Sequence, residues 1–212
     1  MKEYWHSACG QRANGGVTDA MDASLPATRR RTPPLTHHLV HRARLIEALE
    51  RGVQDAGCKL VLLSAPAGYG KTTLLAQWAH TTRVRVDWLS ADEGENDVNR
   101  FFRHLLAAWE SAQPGVRESP LGLLLSDIAP DREAVLAAFL ALAADIPVST
   151  VFVLDDVHVI VESSIYDALA HLIDHLPPTL HFALAGRTDG AGGEVRPARH
   201  LRPPRCTADL RR

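Results

Sequence analysis

One stretch constrains the fold of this chain more than any other, Lys59 to Thr73, which reads KLVLLSAPAGYGKTT. The apolar run Leu60–Val61–Leu62–Leu63 leads into a loop of small residues that closes on Gly70–Lys71–Thr72. The pattern predicts a strand, a phosphate-cradling loop and the start of a helix. Small residues are needed because backbone N–H groups must turn inward and approach phosphate oxygens closely. The helix that follows aims the positive end of its dipole at the same point. On this reading Ala65, Pro66, Ala67, Gly68, Tyr69, Gly70, Lys71, Thr72 and Thr73 form the nucleotide cradle. Lys71 reaches the β- and γ-phosphates, and the Thr72 hydroxyl is a ligand for Mg²⁺. The strict pattern opens on Gly where this chain has Ala65, a residue that still permits a tight turn.

A chain of 212 residues can bury one good-sized α/β core. Its hydrophobic fraction of 46% and charged fraction of 23% are those of an ordinary globular protein. A formal net charge of −2 exerts no global pull on nucleic acid or anionic membrane. The three cysteines, Cys9, Cys58 and Cys206, are far apart, which predicts neither a disulfide framework nor a zinc site and fits a reducing cytoplasm. The N-terminus lacks a signal-peptide apolar core, and the longest apolar run, Ala134 to Ala144, is too short to span a bilayer. No membrane partner is expected.

Met1 to Thr32 is aperiodic and reads as a disordered leader, with Arg29–Arg30–Arg31 as a solvated linker. Thr36 to Arg51 predicts a short amphipathic helix from Ala43 onward, followed by a turn bracketed by Gly52 and Gly57. His37, His38 and His41 have no acidic or Cys partner at ligand spacing. A helix over Lys71 to His80 turns Leu74, Leu75 and Trp78 inward, and Arg83 to Ser90 alternates as a second strand. Asp92 to Asn99 is an acidic loop. Helices are predicted over 97–110 and 131–144, the second N-capped by Asp131, with a break at Pro114 to Pro120.

Thr150 to Asp156, TVFVLDD, predicts a strand buried on both faces that ends in two carboxylates. Acidic residues at that end sit where α/β ligands bind. Asp155 is placed to hold Mg²⁺ opposite Thr72, and Asp156 to polarise an attacking water. A helix over Ser163 to Leu176 carries His171 and His175 on its polar face, beside Asp167 and Asp174, where solvation outweighs a metal pair. Leu180 to Ala185 is a fourth strand, and Arg187 beyond it can sense a γ-phosphate.

These segments resemble the MalT-like, LuxR-type branch of the STAND signal-transduction ATPases. The resemblance rests on LVHRARLIEAL (Leu39 to Leu49), LVLLSAPAGYGKTTLLAQW (Leu60 to Trp78), VDWLSADEGENDVNRFFRHLLAAW (Val86 to Trp109), FVLDDVH (Phe152 to His158) and IYDALAHLIDHLPPTLHFALAGR (Ile165 to Arg187). It implies an α/β P-loop NTPase of the ASCE class, with a central parallel sheet flanked by helices over residues 33–187. The implied strand order is second, Walker B, fourth, Walker A, fifth. It further implies ATP and Mg²⁺ as ligands, Arg42 near the adenine, Arg187 at the sensor position, and self-association through the NTPase domain. Lys71, Asp156 and Arg187 would carry a hydrolysis slowed by Asp at position 156, where many efficient relatives have Glu.

After Arg187 the residues are rich in Gly, Pro and Arg and are read as an irregular tail over 188–212, although Ala208–Asp209–Leu210–Arg211 resembles the end of the family's fifth strand. No sensor or helix-turn-helix pattern is visible there. The expectation is a truncated nucleotide-switch module, with no DNA-reading motif in the chain. A small P-loop kinase or ATPase, and a non-functional fragment with an exposed sheet edge, stay as alternatives.

Overall fold

The computed structural model describes residues 26–35, 39–55, 57–187, 201 and 205–209, and the side chains of 112 and 205–209 fall outside that description. Five parallel strands form one sheet: β1 (Leu60–Ala65), β2 (Arg85–Ser90), β3 (Thr150–Asp155), β4 (Leu180–Arg187) and β5 (Arg205–Asp209). Their order in space is β2-β3-β4-β1-β5. This is the order that the resemblance implies, with β4 between β1 and β3. Among the described residues six α-helices accompany them: α1 (Ala43–Gln54), α2 (Lys71–Thr81), α3 (Val98–Ala112), α4 (Pro120–Leu125), α5 (Arg132–Ala144) and α6 (Ser163–His175).

Strand residues alternate between two cores, because successive side chains point to opposite faces. Leu60, Leu62, Phe152, Leu154, Phe182 and Leu184 face the larger core with α3, α4, α5 and α6. Val61, Leu63, Val151, Val153, Ala183 and Ala185 face the smaller one with Leu49 and Val53 of α1 and Leu74, Leu75 and Trp78 of α2. Burial on both faces explains the continuous apolar runs of β1, β3 and β4. In the larger core Phe152 stands edge-on to Trp109, with ring centroids 5.2 Å apart, and stacks on Phe182 at 5.6 Å.

The ends of these elements follow local chemistry. Asp97 caps α3 through Arg100 N (2.7 Å), Ser119 caps α4, and Asp131 caps α5 through Ala134 N (3.0 Å). Helix α5 buries Val135, Leu136, Phe139 and Ala143, while alanines cover its exposed side. Helix α4, outside the periodic segments read from the sequence, opens with Pro120 at a position where a missing N–H costs nothing.

The structure corrects four expectations. Residues 27–30 form a 3₁₀ turn, and Arg29 is no solvated linker residue. Its guanidinium donates to Ser90 O (2.8 and 2.6 Å), to Glu95 (2.8 Å) and to Asp92. Helix α1 runs through Gly52, which is buried, so no turn opens there. Residues 205–209 are not irregular tail, since β5 pairs with β1 from Leu60↔Arg205 to Ser64↔Asp209 and covers that edge. Cys58 is disulfide-bonded rather than a free thiol. The leader up to residue 25, together with His37 and His38, lies outside the described residues.

Candidate functional site

The site forms where β1, β3 and β4 end together. Register sets this convergence: Ala65, the last residue of β1, pairs with Arg187, the last of β4, and β3 runs to Asp155 one strand further out. Ala65 is fully buried and its φ is not positive, so the methyl group costs nothing where a stricter pattern has Gly. The loop then needs left-handed backbone at Gly68 (φ 80°) and Gly70 (φ 76°), conformations that glycine adopts without penalty. A Cβ on Gly68 would meet nothing within 4 Å, which shows open space over the loop.

Gly70 is also the N-cap of α2, and no side chain caps that terminus. Its first amides and the positive end of its dipole are left for an anion. Ala67, Gly68, Gly70, Lys71, Thr72, Thr73, Asp156 and Arg187 line a cavity of about 350 Å³ over it. Ala65 and Pro66 lie behind this lining and present their carbonyls to Lys71 Nζ, at 2.9 and 3.1 Å. Burial lowers the Lys71 pKa; Asp156 and Asp155 work against that shift, and Arg187 reinforces it. The half-exposed Tyr69 shows its ring to solvent, while its carbonyl accepts from Arg42 Nη1 at 3.0 Å. Arg42 thus ties the start of α1 to the loop and stands outside the cavity lining.

Asp155 is 1% exposed and accepts a hydrogen bond from the Thr72 side chain. Burial is the chief reason its pKa rises to about 6; the Thr72 hydrogen bond opposes this shift and the Asp156 charge adds to it. Hydroxyl and carboxylate oxygens side by side are the hard donors that suit Mg²⁺. Together with cavity, cation and open helix terminus, they fit a magnesium–nucleotide pair. Asp156 adopts φ 57°, the one positive φ of a non-glycine residue among those described. Its carboxylate is 43% exposed, and its backbone N–H donates to Asp155 Oδ1 at 2.9 Å.

Residues 38–184 match the profile described as AAA ATPase domain. The chain belongs to the AAA ATPase domain family. It is 31% identical over 180 residues to the HTH-type transcriptional regulator MalT of Vibrio cholerae, covering 84% of this chain and 18% of that relative. It is 32% identical over 155 residues to the MalT of Cronobacter sakazakii, covering 73% of this chain and 17% of the relative. The chain therefore spans under a fifth of the length of these curated relatives. Among solved structures, Cdc6p from Pyrobaculum aerophilum superposes with a TM-score of 0.56 at 15% identity, over 88% of this chain and 49% of that one. A structure of Drosophila ORC bound to DNA superposes at 0.53 with 14% identity, over 99% of this chain and 52% of that one. Both share the fold.

Other candidates stay apart from this site. His171 and His175 stack with centroids 4.5 Å apart on the exposed side of α6, and no group of three or more metal-ligating side chains forms among the described residues. No helix among them is long and apolar enough to cross a membrane. Sequence reasoning missed Asn96 and Tyr166, which bind the backbone just after Asp156. Asn96 lies within the acidic segment that the sequence marked, but nothing local signals its distant partners.

Proposed function

We propose that this chain is the ATP-binding, slowly hydrolysing switch module of a MalT-like, STAND-type regulator. The observation that carries the reading is one cavity lined by Lys71, Thr72, Asp156 and Arg187, with Thr72 bonded to the buried Asp155 behind it. The Ala65–Thr72 loop then serves as Walker A and the end of β3 as Walker B. Lys71, now held on two carbonyls of its own loop, would release them to hold the terminal phosphates. Thr72 and Asp155 would hold Mg²⁺, which when bound supplies charge neutralisation to the phosphates. Asp156 would orient a water at the cavity. Arg187 would read the terminal phosphate, and Arg42 would steady the loop beside the base. Asp at 156 is one methylene shorter than Glu, which favours slow hydrolysis suited to a switch that resets. As in the regulators it resembles, ATP would favour self-association in the cytoplasm.

Calorimetric titration with Mg²⁺-ATP and Mg²⁺-ADP tests the reading. Wild-type chain should bind both, and Lys71→Ala should bind neither measurably. Folded wild-type chain that binds no nucleotide would overturn it.

A further inference from the structure

The turn that follows Asp156 is held from outside. Val157–Val159 is a single 3₁₀ turn, closed by Val159 N to Asp156 O (3.1 Å) and Ile160 N to Val157 O (3.2 Å). So short a turn has little stiffness of its own. Asn96 grips it from more than sixty positions away in sequence. Its Oδ1 accepts from Val161 N (2.6 Å) and Glu162 N (3.1 Å), and its Nδ2 donates to Val159 O (3.1 Å). Asparagine alone among small side chains offers both a fixed acceptor and a fixed donor for such a clamp. On the inner side the Tyr166 hydroxyl stands 2.8 Å from Val157 O and 2.9 Å from Ile160 O.

Asn96 is itself planted. It ends the Glu93–Asn96 turn, which a capping box between Asp92 and Glu95 closes. Glu95 is fully buried and accepts from Asp92 N (2.7 Å), from Arg29 Nη2 (2.8 Å) and from His104 Nδ1 (2.5 Å). The N-cap of this turn, Asp92, directly follows Ala91, whose N–H donates to Asp155 O at 2.9 Å. Both sides of the Asp155–Asp156 step are therefore tied to the same β2 loop.

We propose that Asn96 is a positioning residue for Asp156: by pinning residues 159–162 to the β2 loop, its carboxamide sets where the Asp156 carboxylate stands at the cavity. The inference rests on the reading of Asp156 as the residue that orients water. Asn96 is not one of the residues that line the cavity, and its hydrogen bonds go to Glu93, Val159, Val161 and Glu162, so its loss loosens the carboxylate without removing a lining side chain. Arg29 supports the arrangement from the far side of the same turn.

The test compares the wild-type chain of 212 residues with Asn96→Ala, Asn96→Asp and Arg29→Gln by three readouts: amide exchange without nucleotide, calorimetric affinity for Mg²⁺-ATP, and single-turnover hydrolysis. Asn96→Ala should speed exchange at Val161 and Glu162 by up to about tenfold, as expected when the hydrogen bond that holds each amide is lost. It should slow hydrolysis by about tenfold with the dissociation constant within about twofold of wild type. Asn96→Asp keeps the acceptor and loses the donor, so it should fall between, and it carries the comparison if the alanine variant does not fold. Arg29→Gln should move exchange and hydrolysis in the same direction. Unchanged exchange at Val161 and Glu162, or affinity that falls in step with the rate, would overturn the proposal. Wild-type chain that binds no ATP would sink the nucleotide reading alone, and the exchange contrast would still decide whether Asn96 fixes the turn.

Discussion

Asp156 and Asp87 are acidic residues held in costly settings, and the two settings predict different behaviour. Asp156 sits in left-handed backbone, which Asp and Asn tolerate better than most residues. Asp156→Asn therefore keeps the backbone and removes the charge. We expect nucleotide affinity within a few-fold of wild type and hydrolysis reduced by about a hundredfold or more, the usual loss when a positioned base is removed; a phosphate-release assay beside calorimetry reads both. Asp87, in contrast, is 1% exposed, neither of its oxygens accepts a hydrogen bond, and Arg85 Nε stands 3.9 Å away. Burial pushes its pKa up to about 7, with Arg85 opposing the shift. The folded chain thus keeps a proton that the unfolded chain gives up near pH 4. Stability should fall as pH rises from about 4 to 7 and then level off, by at most about 4 kcal/mol. Thermal melts across that range should show the decline, and Asp87→Asn should flatten it. That Lys71, Thr72, Asp155 and Asp156 would come together at one candidate site could be read from the sequence, because each stands at a fixed offset from a strand end. Arg29 and Asn96 were not, because their partners lie more than sixty positions away and no local pattern encodes such a pairing.

At the scale of elements, legibility followed periodicity. Strands β1, β3 and β4 could be read because burial on both faces leaves continuous apolar runs, and α3 because Phe101, Phe102, Leu105 and Trp109 repeat on one side. Helix α4 has six residues, too few to show a period, and β5 reads RCTAD, with scarcely an apolar residue. What makes β5 a strand is the open edge of β1 that it covers. Tertiary pairing outweighs local propensity there. The consequence is testable. A chain ending at residue 200 should expose the β1 edge, whose unpaired amides and carbonyls invite pairing with another copy. Light scattering should find the shortened chain self-associating at concentrations where the full chain stays disperse. Equal dispersity would mean that β5 contributes little to covering that edge.

For the whole molecule, one sheet separates two cores, and the site sits at their common rim rather than inside either. Phe152 in the larger core and Lys71 at the rim should therefore fail in different ways. Phe152 contacts Trp109, Phe139 and Phe182, so Phe152→Ala opens a cavity that costs about 3–5 kcal/mol. For a chain of this size each kcal/mol lowers the melting temperature by about 2–4 °C. A ligand bound only to the folded state adds about 2.7 kcal/mol at a hundredfold excess over its dissociation constant, which raises the melting temperature by about 5–10 °C. The Phe152 variant should melt well below wild type yet keep that rise with Mg²⁺-ATP, since the cavity lining is untouched. Lys71→Ala should melt close to wild type and show no rise, because the folded chain loses a buried cation but no core contact. If both variants lost the nucleotide-dependent rise, core and rim would behave as one cooperative unit, and the loop at Ala65–Thr72 would owe its shape to the larger core as well as to the ends of β1, β3 and β4.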